Sequence, residues 1–112
     1  MNDRELLELA ARAAGFTGYG FFLGDDGIDV SDETGTRFAW NPLTEDGHAL
    51  RLAVKRGLVV TPDRENQRTL VSNQAGHEYC AIYWDKLGEM AATRLAITSA
   101  AAEIGKSMGG GE

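Results

Sequence analysis

The chain has a single cysteine, Cys80, so no internal disulfide can form, and the usage fits a reducing compartment. No apolar run approaches the roughly twenty residues that a membrane-spanning helix needs. The opening "MNDRELLELA" has no apolar signal region, which leads us to expect a cytoplasmic protein. Positive charge is scarce: 11 Lys and Arg stand against 17 Asp and Glu, for a net charge of −6. Such a chain repels phosphate backbones, which argues against direct nucleic-acid binding and against anionic membranes. It suits a basic protein surface instead. No repeat, linker or low-complexity run divides the 112 residues, a length that fits one domain with a modest core.

Metal and nucleophile chemistry is also thinly represented. His77 and Cys80 are the one nearby pair of soft ligands, and residues three apart on a strand point to opposite faces. No second pair completes a four-ligand zinc set, so we expect no metal. In "DDGIDVSDE", a calcium loop counted from Asp29 would need glycine sixth and glutamate twelfth; Thr34 and Trp40 stand there. The glycines of "GYGFFLG" follow a helix and sit in a strand, the reverse of a dinucleotide loop. Cys80 with His48 as base would need a third, orienting group, and nothing in the sequence supplies one. Ser31, Ser72, Ser99 and Ser107 lie in no nucleophile elbow. We expect no enzyme and no cofactor.

What is present is a clear alternation of patterns. "NDRELLELAARAAG" reads as a helix capped by Asn2, with Glu5 as reciprocal partner and Gly15 as stop. Phe16 can pack back on its end. "YGFFL" (Tyr19 to Leu23), "IDV" and "TRFAW" read as three strands joined by the turns "GDDG" and "DETG", with Phe38 and Trp40 on one face. In "WNPLTEDGHALRLAV", Pro42 forces Asn41 out of the helical region and Thr44 can cap a helix that begins with Glu45 and Asp46. Leu43, Leu50 and Val54, with Ala53 beside them, make its apolar stripe, and Gly57 ends it after Lys55 and Arg56. "LVV", "RTLVS" and "EYCAIYW" read as three more strands, separated by "TPDRENQ" and "NQAGH". Asp85 to about Met108 reads as a long helix with Met90, Ile97, Ala101, Ile104 and Met108 on one face. Leu95 widens that face, which is then either covered on two sides or used to form a homodimer. The expected fold is α+β: one antiparallel sheet of five to six strands packed with three helices, in the order αβββαβββα, over residues 1–108, with 109–112 a flexible tail. Trp40 and Trp84, each at a strand end before a helix, are expected in the core.

Three blocks, "NDRELLELAARAAG" at Asn2–Gly15, "WNPLTEDGHALRLAV" at Trp40–Val54 and "AAAEIGKSM" at Ala100–Met108, resemble a family of small phage and prophage proteins of the phage ABA-sandwich type. His48 stands where that family often has aspartate, and Val59 to Tyr83 lies outside the resemblance. The resemblance implies a phage origin, the cytoplasm of a host bacterium, and a sheet with helices packed around it. It brings no catalytic residues.

Two functional readings follow. In the first, the chain is a non-enzymatic binding protein that occupies a host protein or nucleoprotein complex with a basic surface, as an anti-CRISPR-like inhibitor of host defence would. Asp25, Asp26, Asp29, Asp32 and Glu33 would then form the contact surface. In the second, it holds a small molecule or nucleotide signal in a pocket built from Arg51, Arg37, Tyr19 and Trp40. A structural accessory role in the phage is a further alternative.

Overall fold

The computed structural model describes residues 1–109; the expected tail at 110–112 lies outside the described residues. Helices α1 (Asp3–Ala14), α2 (Asp46–Arg56) and α3 (Glu89–Met108) alternate with strands β1 (Gly18–Phe22), β2 (Ile28–Ser31), β3 (Arg37–Trp40), β4 (Val59–Asp63), β5 (Arg68–Ser72) and β6 (Glu78–Tyr83). The expected order αβββαβββα is what the chain adopts, but the six strands do not share one sheet. They form two three-stranded antiparallel sheets, β1-β2-β3 and β4-β5-β6. Each meander is complete in itself, and α2 stands between them in the chain.

The layering explains the division. The N-terminal sheet rests on α1, α1 packs along α3, and α3 carries the C-terminal sheet and α2. Helix α3 is thus covered by α1, by α2 and by β4, β5 and β6, which accounts for its broad apolar face. One continuous core joins the layers: Leu7, Ile28, Val30, Trp40, Leu52, Val71, Ile97 and the buried alanines of the helices.

Local chemistry sets the element ends. Asn2 Oδ1 accepts from the Glu5 N–H at 2.9 Å, and Gly15 closes α1 in the left-handed region. Phe16 then meets Phe38 and Trp40 edge-on, with ring centroids 5.6 and 5.2 Å away, so both aromatics of β3 do share a face. Gly57 ends α2 as expected.

Five expectations are corrected. Thr44 does not cap α2: the Asn41 carbonyl accepts the N–H groups of Thr44 and Glu45, and this turn moves the helix start to Asp46. Leu50 and Val54 do not face the core; Ala49, Leu52 and Ala53 do. Strand β4 runs on through Thr61, Pro62 and Asp63, because β4 lies at a sheet edge where the missing proline N–H breaks no ladder. Helix α3 begins at Glu89, not Asp85, since the Gly88 N–H returns to the Trp84 carbonyl at 2.8 Å with a left-handed φ that no helix tolerates. Met90 and Met108 are exposed, whereas Ile97 and Ala101 are buried.

Candidate interaction surface

The site is built at one end of the N-terminal sheet. On β1, Tyr19 opposes Val30 and Phe22 opposes Ile28, so Gly20 and Phe21 together stand where β2 has only Asp29. This is a β-bulge on an edge strand. On a regular strand, Tyr19 and Phe22 would point to opposite faces. The extra residue lets both oppose core-facing residues of β2 and turns Phe21 out. Phe21 is 74% exposed, Phe22 45% and Leu23 42%, three consecutive large apolar residues in contact with solvent.

The chain then makes a single 3-10 turn over Gly24–Asp26, which displays Asp25 and Asp26 beside this apolar run. Two features pin the turn. Gly27 has φ +90, and a Cβ there would lie 2.1 Å from the Trp40 carbonyl oxygen, so only glycine admits this approach to β3. Asn41 Nδ2 donates to the Asp25 carbonyl at 3.0 Å. Asn41 is buried and fully engaged: its Oδ1 accepts from the Leu43 N–H and its own N–H donates to His48 Nδ1, each at 3.0 Å. One asparagine therefore ties the acidic turn to the start of α2. Asp25, Asp26, Asn41, Thr44, Glu45 and His48, with Ala39, line a shallow cleft of about 160 Å³.

His48 titrates below its ordinary value, because burial and then the nearby Arg51 disfavour the imidazolium, with Glu45 opposing them. The bond from Asn41 N–H also needs Nδ1 unprotonated.

The five acids singled out from the sequence do not form one patch. Strand β2 separates Asp25 and Asp26 from Asp32 and Glu33 by ~13 Å, four residues at about 3.3 Å each. Asp29 lies on β2 and pairs with Arg37 of the neighbouring strand. Asp32 organises the far turn: its Oδ1 accepts from the Thr34 hydroxyl at 2.6 Å and from the N–H groups of Thr34 and Thr36. The Thr34 hydroxyl, followed by those backbone donors, holds its carboxyl below the usual value. Glu33 is exposed at that same turn. Asp25 and Asp26 are the exposed pair that lies against exposed apolar side chains.

The remaining sequence candidates are engaged in the fold. Trp40 and Trp84 are buried, as expected. Tyr19 accepts from Arg12 Nε at 3.3 Å, Arg37 pairs with Asp29, and Trp40 packs under Phe16, so these members of the suggested small-molecule pocket face different neighbours. Cys80 donates its thiol to the Ala96 carbonyl at 3.3 Å, while the His48 ring lies near Phe38. His77 packs edge-on to Tyr79. Among the described residues, no group of three or more His, Cys, Asp or Glu could hold a metal ion, and no helix is long and apolar enough to cross a membrane.

Sequence reading missed Phe21, Phe22 and Leu23 as surface residues. The signal was present: three large apolar residues in a row cannot all face inward on an alternating strand, and the preceding Gly20 is a natural bulge position. No protein-family model, no curated protein and no solved structure matches this chain.

Proposed function

We propose that this chain acts without chemistry of its own, by docking on another protein through the Phe21–Asp26 end of its N-terminal sheet. The observation that carries the reading is the run of Phe21, Phe22 and Leu23 held in solvent directly beside Asp25 and Asp26. Aromatic side chains at the centre of a contact supply most of its binding energy, and a charged rim steers the encounter and selects partners of opposite sign. A bulged edge strand fixed by Gly27 and Asn41 presents these groups on a rigid support, which lowers the ordering cost of association. The partner is therefore a protein or nucleoprotein complex with an apolar pocket bordered by lysine and arginine. The resemblance to small phage proteins makes a host defence complex the partner to test first, with inhibition of the anti-CRISPR kind as the outcome. On this reading Asp29, Asp32 and Glu33 contribute long-range field more than contact.

The test is capture from a bacterial lysate with tagged wild-type chain and with the triple variant F21S/D25K/D26K, read by mass spectrometry. We expect one stoichiometric partner with the wild type and a loss of at least tenfold with the variant, at unchanged thermal stability. Equal recovery with both proteins would remove this surface from consideration. Recovery of no partner by the wild type would remove the binding reading itself.

A further inference from the structure

A groove of about 370 Å³ runs between α2 and α3, apart from the Phe21–Asp26 end. Ala49, Ala53 and Ile97 are buried along it, Val60 is half-buried, and Leu50 and Met90 stand exposed at its border. A recess of this size, lined by apolar side chains with a few polar groups converging on it, has the make-up of a small-molecule site.

The polar groups gather at the start of α2 and say what the ligand carries. Arg94 lines the groove with its side chain only 19% exposed. Its Nε donates to the Leu43 carbonyl at 2.9 Å and its Nη1 to Asp46 Oδ1 at 2.6 Å. Its Nη2 makes no bond among the described residues. Asp46, the carboxylate that answers this charge, is 66% exposed and free to turn into solvent. A second guanidinium lies beside it: Arg51 Nη2 would stand 3.5 Å from a Cβ on Gly47, which also lines the groove. Arg51 enters no ion pair among the described residues. Two guanidiniums against one carboxylate make this end of the groove locally positive on a chain whose net charge is −6. Guanidinium donors match a carboxylate in shape as well as in sign.

We infer that the groove binds a small amphiphilic carboxylate, with its head between Arg94 and Arg51 and its aliphatic chain along Ala49, Ala53, Val60 and Ile97. At roughly 30 Å³ per non-hydrogen atom, the share that a water molecule takes in its liquid, the groove holds about a dozen such atoms. A ten-carbon fatty acid has that size. The ligand head competes with Asp46 for Arg94, so Asp46 limits the affinity. This site is independent of the Phe21–Asp26 surface and does not rest on the docking reading.

The experiment is isothermal titration calorimetry of the full chain with sodium decanoate, with Kd expected on the order of 10–100 µM. Butanoate, with the same head and a shorter chain, should bind at least a hundredfold more weakly, because about six methylenes are no longer buried. Decyltrimethylammonium, with the same chain and the opposite charge, should bind at least tenfold more weakly than decanoate. Arg51→Ala should weaken decanoate binding several-fold and Asp46→Asn should strengthen it, both with the circular dichroism of the wild type. No saturable binding of decanoate up to ~1 mM would overturn the inference. Binding of decyltrimethylammonium as tight as that of decanoate would overturn the assignment of the head group. Decanoate affinity unchanged in both folded variants would do the same.

Discussion

Gly105 of α3 lies directly over the carbonyl group of Leu9 on α1, so close that a Cβ at position 105 would stand 1.9 Å from that oxygen. Arg12 bridges the same crossing with a 3.4 Å bond from Nη1 to the Gly105 carbonyl. Both helices are rich in buried alanines: Ala10, Ala11 and Ala13 on α1 and Ala100, Ala101 and Ala102 on α3. Small side chains let the two backbones approach, and this contact joins the half of the molecule that carries the N-terminal sheet to the half that carries the C-terminal sheet.

The first prediction concerns that crossing. Gly105→Ala adds a methyl group where backbone, not a movable side chain, already stands. Stability should fall by about 2–3 kcal/mol despite the better helix propensity of alanine. Urea unfolding followed by circular dichroism measures it. A variant as stable as the wild type would mean that the helices lie farther apart than described.

A second prediction rests on a directed hydrogen-bond chain under α3. Trp84 Nε1–H donates to Thr69 Oγ1 at 2.9 Å, Thr69 Oγ1 lies 2.7 Å from Thr93 Oγ1, and the Thr93 hydroxyl donates to the Glu89 carbonyl at 2.7 Å. Because Thr93 spends its proton on Glu89, the Thr69 proton points to Thr93. Thr69→Val keeps the shape but strands the buried indole N–H, which costs about 1–3 kcal/mol. Adding Trp84→Phe removes the stranded donor, so the double variant should lose less than the sum of the two single losses. Strict additivity in a double-mutant cycle would deny the coupling.

His48 gives the third prediction, a pH dependence with a definite sign. Its folded pKa lies below the ordinary 6.5, so the unfolded chain takes up a proton first as pH falls. The stability it contributes is complete above about pH 6.5 and declines below that, until the folded form titrates as well. The carboxylates with lowered pKa, Asp32 and Asp63, lose their contributions only below their ordinary value of 3.8, a separate window. Melting temperature should therefore drop between about pH 6.5 and 5 in the wild type, and this slope should flatten in His48→Gln, which offers Asn41 a non-titrating acceptor. Identical slopes in the two proteins would count against the assigned bond.

Cys80 supplies the fourth. Burial, reinforced by Glu78 and Glu103, pushes its thiol up from 9.0 to about 11. The thiolate is the reactive form, so alkylation by iodoacetamide at pH 8 should run about 100-fold slower in the native chain than in the urea-unfolded one. Equal rates would show an accessible and ionisable thiol and would reopen a nucleophilic role.

What the sequence determined by itself is the local architecture. Capping at Asn2, the stops at Gly15 and Gly57, the turns around Asp25 and Asp32 and the alternation of β2 are written in neighbouring residues, and all are found. The order of nine elements and the burial of both tryptophans follow from the same short-range signals. Tertiary structure alone decided the rest. Whether two meanders share a sheet depends on contacts between distant segments, and the packing of α1 on α3 gives each meander its own helix to cover it. Periodicity marked Leu50 and Val54 as an apolar stripe but could not say whether this chain buries it, because a helix with alanines on a second face has two ways to pack. The five acids are near neighbours in sequence, yet a strand four residues long divides them, and a one-residue bulge brings Phe21 out beside only two of them. Distance along an extended chain grows with every residue, whereas proximity across a sheet is set by register, and register belongs to the folded molecule.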